Sequence, residues 1–348
     1  MTGAGNLHRF ALFTACSTFC LIIAGGLVTS TQSGLSVPDW PNTYGHFMFA
    51  YPLDEMVGGI FFEHSHRMIA SGVGFLTVLL AFWLWKRDDR RWVRTLGFVA
   101  LAAVITQGLL GGITVLFLLP TAISVSHATL AQTFFAIVST IALVTSPWWQ
   151  SELPLLQEKG RAVPVARLAM IATGAVFVQL VLGALMRHMH AGLAVPDVPL
   201  AYGQMFPSLS PDAVAGYNHE LVLRDIRLSA DDPVTAAQIT VHLLHRYWAI
   251  IAASLVLWTG VRLIGLGSST KRLRTLGIIL AALVGVQIGL GMMTVLSQKA
   301  VDLTTAHVAT GALLLALCVI ATLHAVRLYG FRANAPRTVG FAARGVTA

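Results

Sequence analysis

Charge is what this chain has least of. Asp, Glu, Lys and Arg make up 11% of its 348 residues, whereas a water-soluble domain carries about 25%. Residues of hydrophobic type make up 56%, and the mean hydropathy is +0.74. Too little polar material remains to cover a water-facing surface, so soluble globular, disordered and fibrous classes are excluded and an all-α membrane protein remains. Cysteine is scarce as well. Cys16, Cys20 and Cys318 all fall in apolar runs, which implies no disulfide framework; Cys16 and Cys20, at i,i+4, read as small buried thiols. Recognisable phosphate-binding glycine loops are absent too.

Long apolar runs are what the chain has instead. A bilayer core about 30 Å thick takes about 20 apolar residues of helix, and eight stretches qualify: 10–30, 60–85, 92–119, 121–145, 165–186, 238–263, 273–297 and 303–325. The first is longer than a signal-peptide core and lacks a small-residue cleavage site, so it is expected to be retained. No Arg/Ser-rich transit segment precedes it, which favours a bacterial chain. Of the 23 Lys and Arg, 17 fall on one side of the predicted topology: Arg9, the 86–94 cluster, Lys159, Arg161, Arg167, Arg262, the 271–274 cluster, Arg327 and the tail arginines Arg332, Arg337 and Arg344. The positive-inside rule then puts both termini in the cytoplasm. The net charge of +8 is explained by topology, and nucleic acid is not an expected partner. The long outward connections, 31–59 and 188–237, are predicted to carry short interfacial helices or a cap.

The chain repeats itself. Gly34-Leu35-Ser36-Val37-Pro38-Asp39-Trp40-Pro41 returns as Gly192-Leu193-Ala194-Val195-Pro196-Asp197-Val198-Pro199, and Tyr44-Gly45 as Tyr202-Gly203, at an offset of 158. Glu63-His64-Ser65-His66-Arg67 answers to His242-Leu243-Leu244-His245-Arg246. Gln107, Gly111, Thr114 and His127 match Gln287, Gly291, Thr294 and His307 at an offset of 180. An even number of spans per copy keeps both copies in one orientation. The expected architecture is therefore two tandem four-helix bundles related by a pseudo-twofold along the membrane normal. The division is 1–150, 151–330 and a cytoplasmic tail at 331–348.

Ionisable groups within spans are costly and mark function. His66, His127, His245 and His307 lie one to two turns inside the outer ends of their spans, two per copy. Two imidazoles at one depth on separate helices can grip the iron of a flat macrocycle such as heme. No CxxC, HExxH or CxxCH motif offers a zinc or c-type heme alternative. The copies differ in one respect: Glu63 stands three residues before His66, where the second copy has His242. A partly desolvated carboxylate suits proton transfer, although an i,i+4 ion pair with Arg67 is the plainer role. Arg67 and Arg246 are candidate contacts for carboxylate side chains of a bound heme. His64 is expected to be interfacial, His188 and His190 solvent-exposed, and Trp40 and Tyr44 to form lids or interface anchors. Gly111-Gly112 reads as close helix packing.

Taken together, the ExxHR and HxxHR blocks, the two later histidines and the Gly-Leu-Ser-Val-Pro-Asp-Trp stretch closely resemble the heme A synthase family over residues 10–325. The resemblance implies oxidation of the C8 methyl of heme O to a formyl group, giving heme A for cytochrome oxidase. It implies substrate heme O at His66 and His127, a heme b cofactor at His245 and His307, and an essential carboxylate at Glu63. Heme O, heme O synthase and an unidentified electron donor or acceptor are the expected partners, with the lipid bilayer around them. A homo-oligomer is compatible with this pattern, and a bacterial inner membrane is the implied location. Many relatives carry a cysteine pair in the first outer loop; residues 31–59 have none, which argues against a disulfide relay. A di-heme b-type electron carrier and a heme transporter or chaperone are the competing readings.

Overall fold

A computed structural model describes residues 3–151, 156, 163–226, 233–266 and 271–330. Ten α-helices occur among them: α1 (Gly3–Ser30), α2 (Gly58–Arg87), α3 (Arg91–Leu116), α4 (Thr121–Val144), the single turn α5 (Pro147–Gln150), α6 (Val165–His188), α7 (Pro211–Leu223), α8 (Ala236–Leu266), α9 (Lys271–Leu296) and α10 (Val301–Tyr329). All but α5 and α7 are long and apolar enough to cross a bilayer, matching the eight expected spans. Lys159, Arg161, Arg227, Arg332, Arg337, Arg344 and the tail 331–348 lie outside the described residues.

Boundaries shift where charge or backbone geometry decides them. Helix α2 runs on through Lys86 and Arg87, basic residues that favour a helix C-terminus. Helix α3 stops at Leu116 rather than 119, because Leu118 and Leu119 both take positive φ (57° and 58°) to reverse the chain into α4.

Helices α1, α2, α3 and α4 pack in a closed ring, each against the next, and α6, α8, α9 and α10 form a second ring. The seam between the rings consists of α1 on α10, α4 on α6 and α4 on α10. Exchanging α1 with α6 and α4 with α10 maps this seam onto itself, as a pseudo-twofold requires, so the packing is consistent with the duplicated sequence. Burial follows the same logic: 44% of the most apolar stretch of α4 is buried, against 11% for α9 at the lipid-facing edge. Small residues set the closest approaches. A methyl on Gly277 would lie 2.5 Å from the Gly260 carbonyl oxygen, and one on Gly97 would lie 2.9 Å from Leu84 Cδ1.

The outer connections form caps, as expected. The first contains 3₁₀ turns at Met48–Ala50 and Leu53–Glu55; the second contains a 3₁₀ turn at Ala191–Leu193 and the helix α7, whose Ser210 side chain caps the Ala213 N–H. Isolated bridges Thr43–His46 and Ala201–Gln204 sit at matching places. Cys16 and Cys20, expected to be buried, are exposed on α1. In lipid, a helix can turn apolar side chains outward as readily as inward.

Candidate functional site

In each ring the two histidine helices stand on a diagonal. Helices α2 and α4 are separated by α1 and α3, and α8 and α10 by α6 and α9. At about 1.5 Å per residue, the four imidazoles lie about 9–14 Å in from their helix starts. His66 and His127 thus stand on the diagonal helices of the first ring, and His245 and His307 on those of the second.

Every one of these rings lies over a glycine of a neighbouring helix. A methyl built on Gly25 would fall 3.1 Å from His66 Cε1, and one on Gly111 3.2 Å from His127 Cε1. Methyls on Gly183 and Gly291 would fall 3.0 Å from His245 Cε1 and His307 Cε1. Ordinary carbon contacts lie at about 3.5–4.0 Å, so only glycine leaves the rings this seat. Gly111 therefore makes room for an imidazole, and Gly112 for the Trp40 ring, which a methyl would approach to 2.5 Å. The expected role of the pair, close helix packing, holds at Gly111, which meets a side chain of α4, while Gly112 receives the cap instead.

Glutamines flank three of the four rings. Gln107 donates to the His127 carbonyl at 3.0 Å, Gln179 to the His245 carbonyl at 3.0 Å, and the Gln287 amide lies 3.4 Å from His307 Nε2. The repeat places Leu21 opposite Gln179. Buried Nδ1 atoms of His66, His127 and His307 make no hydrogen bond with protein. Leaving a polar nitrogen buried and unpaired is costly, and an iron bound at that nitrogen would remove the cost. Among the described residues no three His, Cys, Asp or Glu side chains cluster around a point. A bare ion asks for more than two protein ligands; an iron already held in a tetrapyrrole does not. The residues present fit such a group.

Glu63 and the arginines fasten the caps. Buried Glu63 accepts from Arg67 Nη2 at 2.7 Å through Oε1 and from the Val37 N–H at 2.7 Å through Oε2. Arg67 also donates to the carbonyls of Asp39 (2.8 Å), Asn42 (3.0 Å) and Val37 (2.9 Å). Arg246 repeats this on Asp197 (2.8 Å), Leu200 (3.0 Å) and Val195 (2.8 Å), with its Nε on His242 Nε2 at 2.9 Å. Within each cap an aspartate takes two backbone N–H groups: Asp39 from Tyr44 and Gly45, and Asp197 from Tyr202 and Gly203. Burial pushes the Asp39 carboxyl up, but the Gly45 and Tyr44 N–H groups outweigh it and hold it below its usual range. Tyr44 donates to the Ser36 carbonyl at 2.6 Å, so it braces the cap from within.

His64, expected at the interface, is buried with Nδ1 3.1 Å from Thr43 Oγ1; the cap folds over a face that the helical wheel alone leaves open. His190 is exposed as expected, and His188 is half-buried. Gly25, Gly183 and Gln179 were not singled out in the sequence, although Gly25 and Gly183 match at the same 158 offset as the cap motif.

A multi-pass, all-helical membrane protein with one imidazole couple per four-helix ring and a fastened cap above each is the class defined here. The signature of the COX15-CtaA cytochrome oxidase assembly proteins matches residues 8–319, and the chain belongs to that family. It is 30% identical over 225 residues to a heme A synthase of Halalkalibacterium halodurans, covering 62% of this chain and 71% of the relative. It is 26% identical over 321 residues to one from Shewanella oneidensis (87% and 91% covered) and 27% over 344 residues to one from Rhizorhabdus wittichii (89% and 91%).

Proposed function

We propose that this chain is a membrane oxidoreductase that converts heme O to heme A for cytochrome oxidase. The observation that carries the reading is the pairing of two glycine-seated imidazole couples with a single acid, present in the first half alone. The net conversion, R–CH3 and water to R–CHO, releases four electrons and four protons, so both an electron path and a proton acceptor are required. His66 and His127 hold the substrate heme O by its iron and fix where its methyl group lies. Glu63 Oε2, positioned through the Val37 N–H and the Arg67 ion pair, takes a proton released as the methyl carbon is oxidised. His245 and His307 hold heme b, which supplies one-electron redox chemistry when bound.

Residues 1–150 are on this reading the substrate half and 151–330 the cofactor half, with 331–348 as a cytoplasmic tail. The basic-residue bias supports both termini inside and both sites toward the outer leaflet, and the bacterial relatives support a bacterial inner membrane. Heme O synthase is the partner that supplies the substrate. Co-expression with a heme O producer, followed by chromatography of extracted hemes, tests the proposal. Heme A should appear. Recovery of heme b and unchanged heme O would instead favour the di-heme electron carrier, or the transporter.

A further inference from the structure

Two cations of the second half have no counterpart in the first. Arg187, near the end of α6, stands where the repeat puts Thr29, and Lys299, just after α9, stands where it puts Leu119. The backbones agree: Lys299 and Leu119 take φ of 69° and 58°, and donate to the Thr294 and Thr114 carbonyls at 2.8 and 2.7 Å. Their side chains run alike as well. Lys299 Cδ lies 3.5 Å from a methyl built on Gly192, and Leu119 Cδ1 lies 3.5 Å from one built on Gly34. What separates the two places is charge.

Both cations are half-buried and within electrostatic range of each other. Neither pairs with a carboxylate among the described residues, whose ion pairs are Arg67–Glu63, Arg90–Asp88 and Arg224–Glu220. Arg187 Nη2 donates only to neutral acceptors across the seam, Ser30 Oγ at 2.9 Å and the Gly26 carbonyl at 3.3 Å. Burial, and then the Arg187 charge, push the Lys299 ammonium below its usual value. Two like charges stripped of water are destabilising unless an anion joins them. Arg187 stands one turn after Gly183, the seat of the His245 ring, and the Ser30 hydroxyl that it grips also accepts from Thr305, two residues before His307, at 3.2 Å. Arg67 and Arg246 point their donors at cap carbonyls and Arg224 pairs with Glu220, which leaves Arg187 and Lys299, among the described cations of the outer side, without a carboxylate partner.

We propose that Arg187 and Lys299 form an anion seat at the outer rim of the second half, taking the carboxylate side chains of the tetrapyrrole held between His245 and His307. The seat rests on the heme reading above. A lipid phosphate offers related chemistry, so the test separates the two sources. Heme b and its dimethyl ester are titrated into purified full-length protein in detergent, and binding is read from the Soret band. The unaltered protein should bind the diacid about tenfold more tightly than the ester, the scale of one charge-assisted hydrogen bond. Arg187→Gln and Lys299→Leu should each remove most of that preference, while Arg187→Lys and Lys299→Arg should keep it. Should Arg187→Gln fail to fold, Lys299→Leu carries the test, since leucine already occupies the matching place in the first half. A preference that survives in Lys299→Leu overturns the seat and leaves the heme site standing. Loss of co-purifying phospholipid phosphate in that variant, with the diacid preference intact, assigns the seat to lipid and also overturns it. If His245→Ala binds both hemes as tightly as the unaltered protein, the failure lies with the site reading itself.

Discussion

The two halves share a scaffold down to single hydrogen bonds and part company in side-chain chemistry. Asp39 and Asp197 hold their turns with the same pair of N–H groups, and Arg67 and Arg246 grip the same three cap carbonyls. The residue one turn before each arginine differs: a carboxylate in the first half, and in the second an imidazole whose Nδ1 lies 2.8 Å from the Ala191 carbonyl. The caps differ in build too. The second has its own apolar core, with Tyr202 stacked on Tyr217 at 3.8 Å. The first has no such cluster among the described residues, while both turn large apolar side chains outward, Phe47, Phe49 and Leu53 in the first and Met205, Phe206 and Val222 in the second. A cap packed against itself suits a resident group, and one with little core of its own suits a molecule that comes and goes. Matching geometry with unlike chemistry is what the substrate and cofactor roles proposed for the two halves require.

That contrast can be broken in graded ways. The largest effect is expected from the ligands: His245→Ala or His307→Ala should abolish the optical spectrum of the resident heme, whereas His66→Ala should retain it. Equal loss from either half would end the assignment of distinct roles. Next comes the acid. Glu63→Gln should keep bound heme but lower heme A yield by about a hundredfold, the range of general acid–base catalysis, while His242→Gln lowers it far less; pigment extraction from both variants decides this. A subtler contrast concerns bulk. Trp40 and Gly112, in contact in the first half, correspond by the repeat offsets to Val198 and Met292 in the second. Gly112→Met alone should destabilise the protein by about 1–3 kcal/mol through overpacking, and adding Trp40→Val should recover much of it. Thermal unfolding in detergent measures the coupling, and strictly additive losses would sever the two positions. The smallest effect concerns acid. Because the folded-state value of Asp39 lies below its usual one, its contribution is complete above about pH 4 and fades as pH falls through the folded value. Limited proteolysis of the first cap should rise only below that point; cleavage already increasing near pH 6 would assign the sensitivity elsewhere.

The spans, the repeat and the four histidines were legible because each leaves a mark on residue type: uninterrupted hydropathy, matched spacing, a titratable group where lipid forbids one. The seats were not. Gly111-Gly112 announces a close approach without saying to what, and the imidazole and indole that fill the space come from residues 16 and 72 positions away in the chain. Orientation within a span was equally hidden. Cys16 and Cys20 face outward while the hydroxyl residues Thr14 and Thr18 of the same helix are buried, so polarity does not mark the lipid side. Arg67 read as an ion-pair or ligand residue, since bonds to backbone carbonyls of a distant loop depend on no particular side chain.

Those carbonyl bonds have a mechanical corollary. Arg67 follows His66 directly, and Arg246 follows His245, so the loop above each histidine couple is tethered to the very helix turn that carries a proposed iron ligand. Lifting the loop means surrendering the guanidinium bonds or rotating the helix, and rotation carries the imidazole with it.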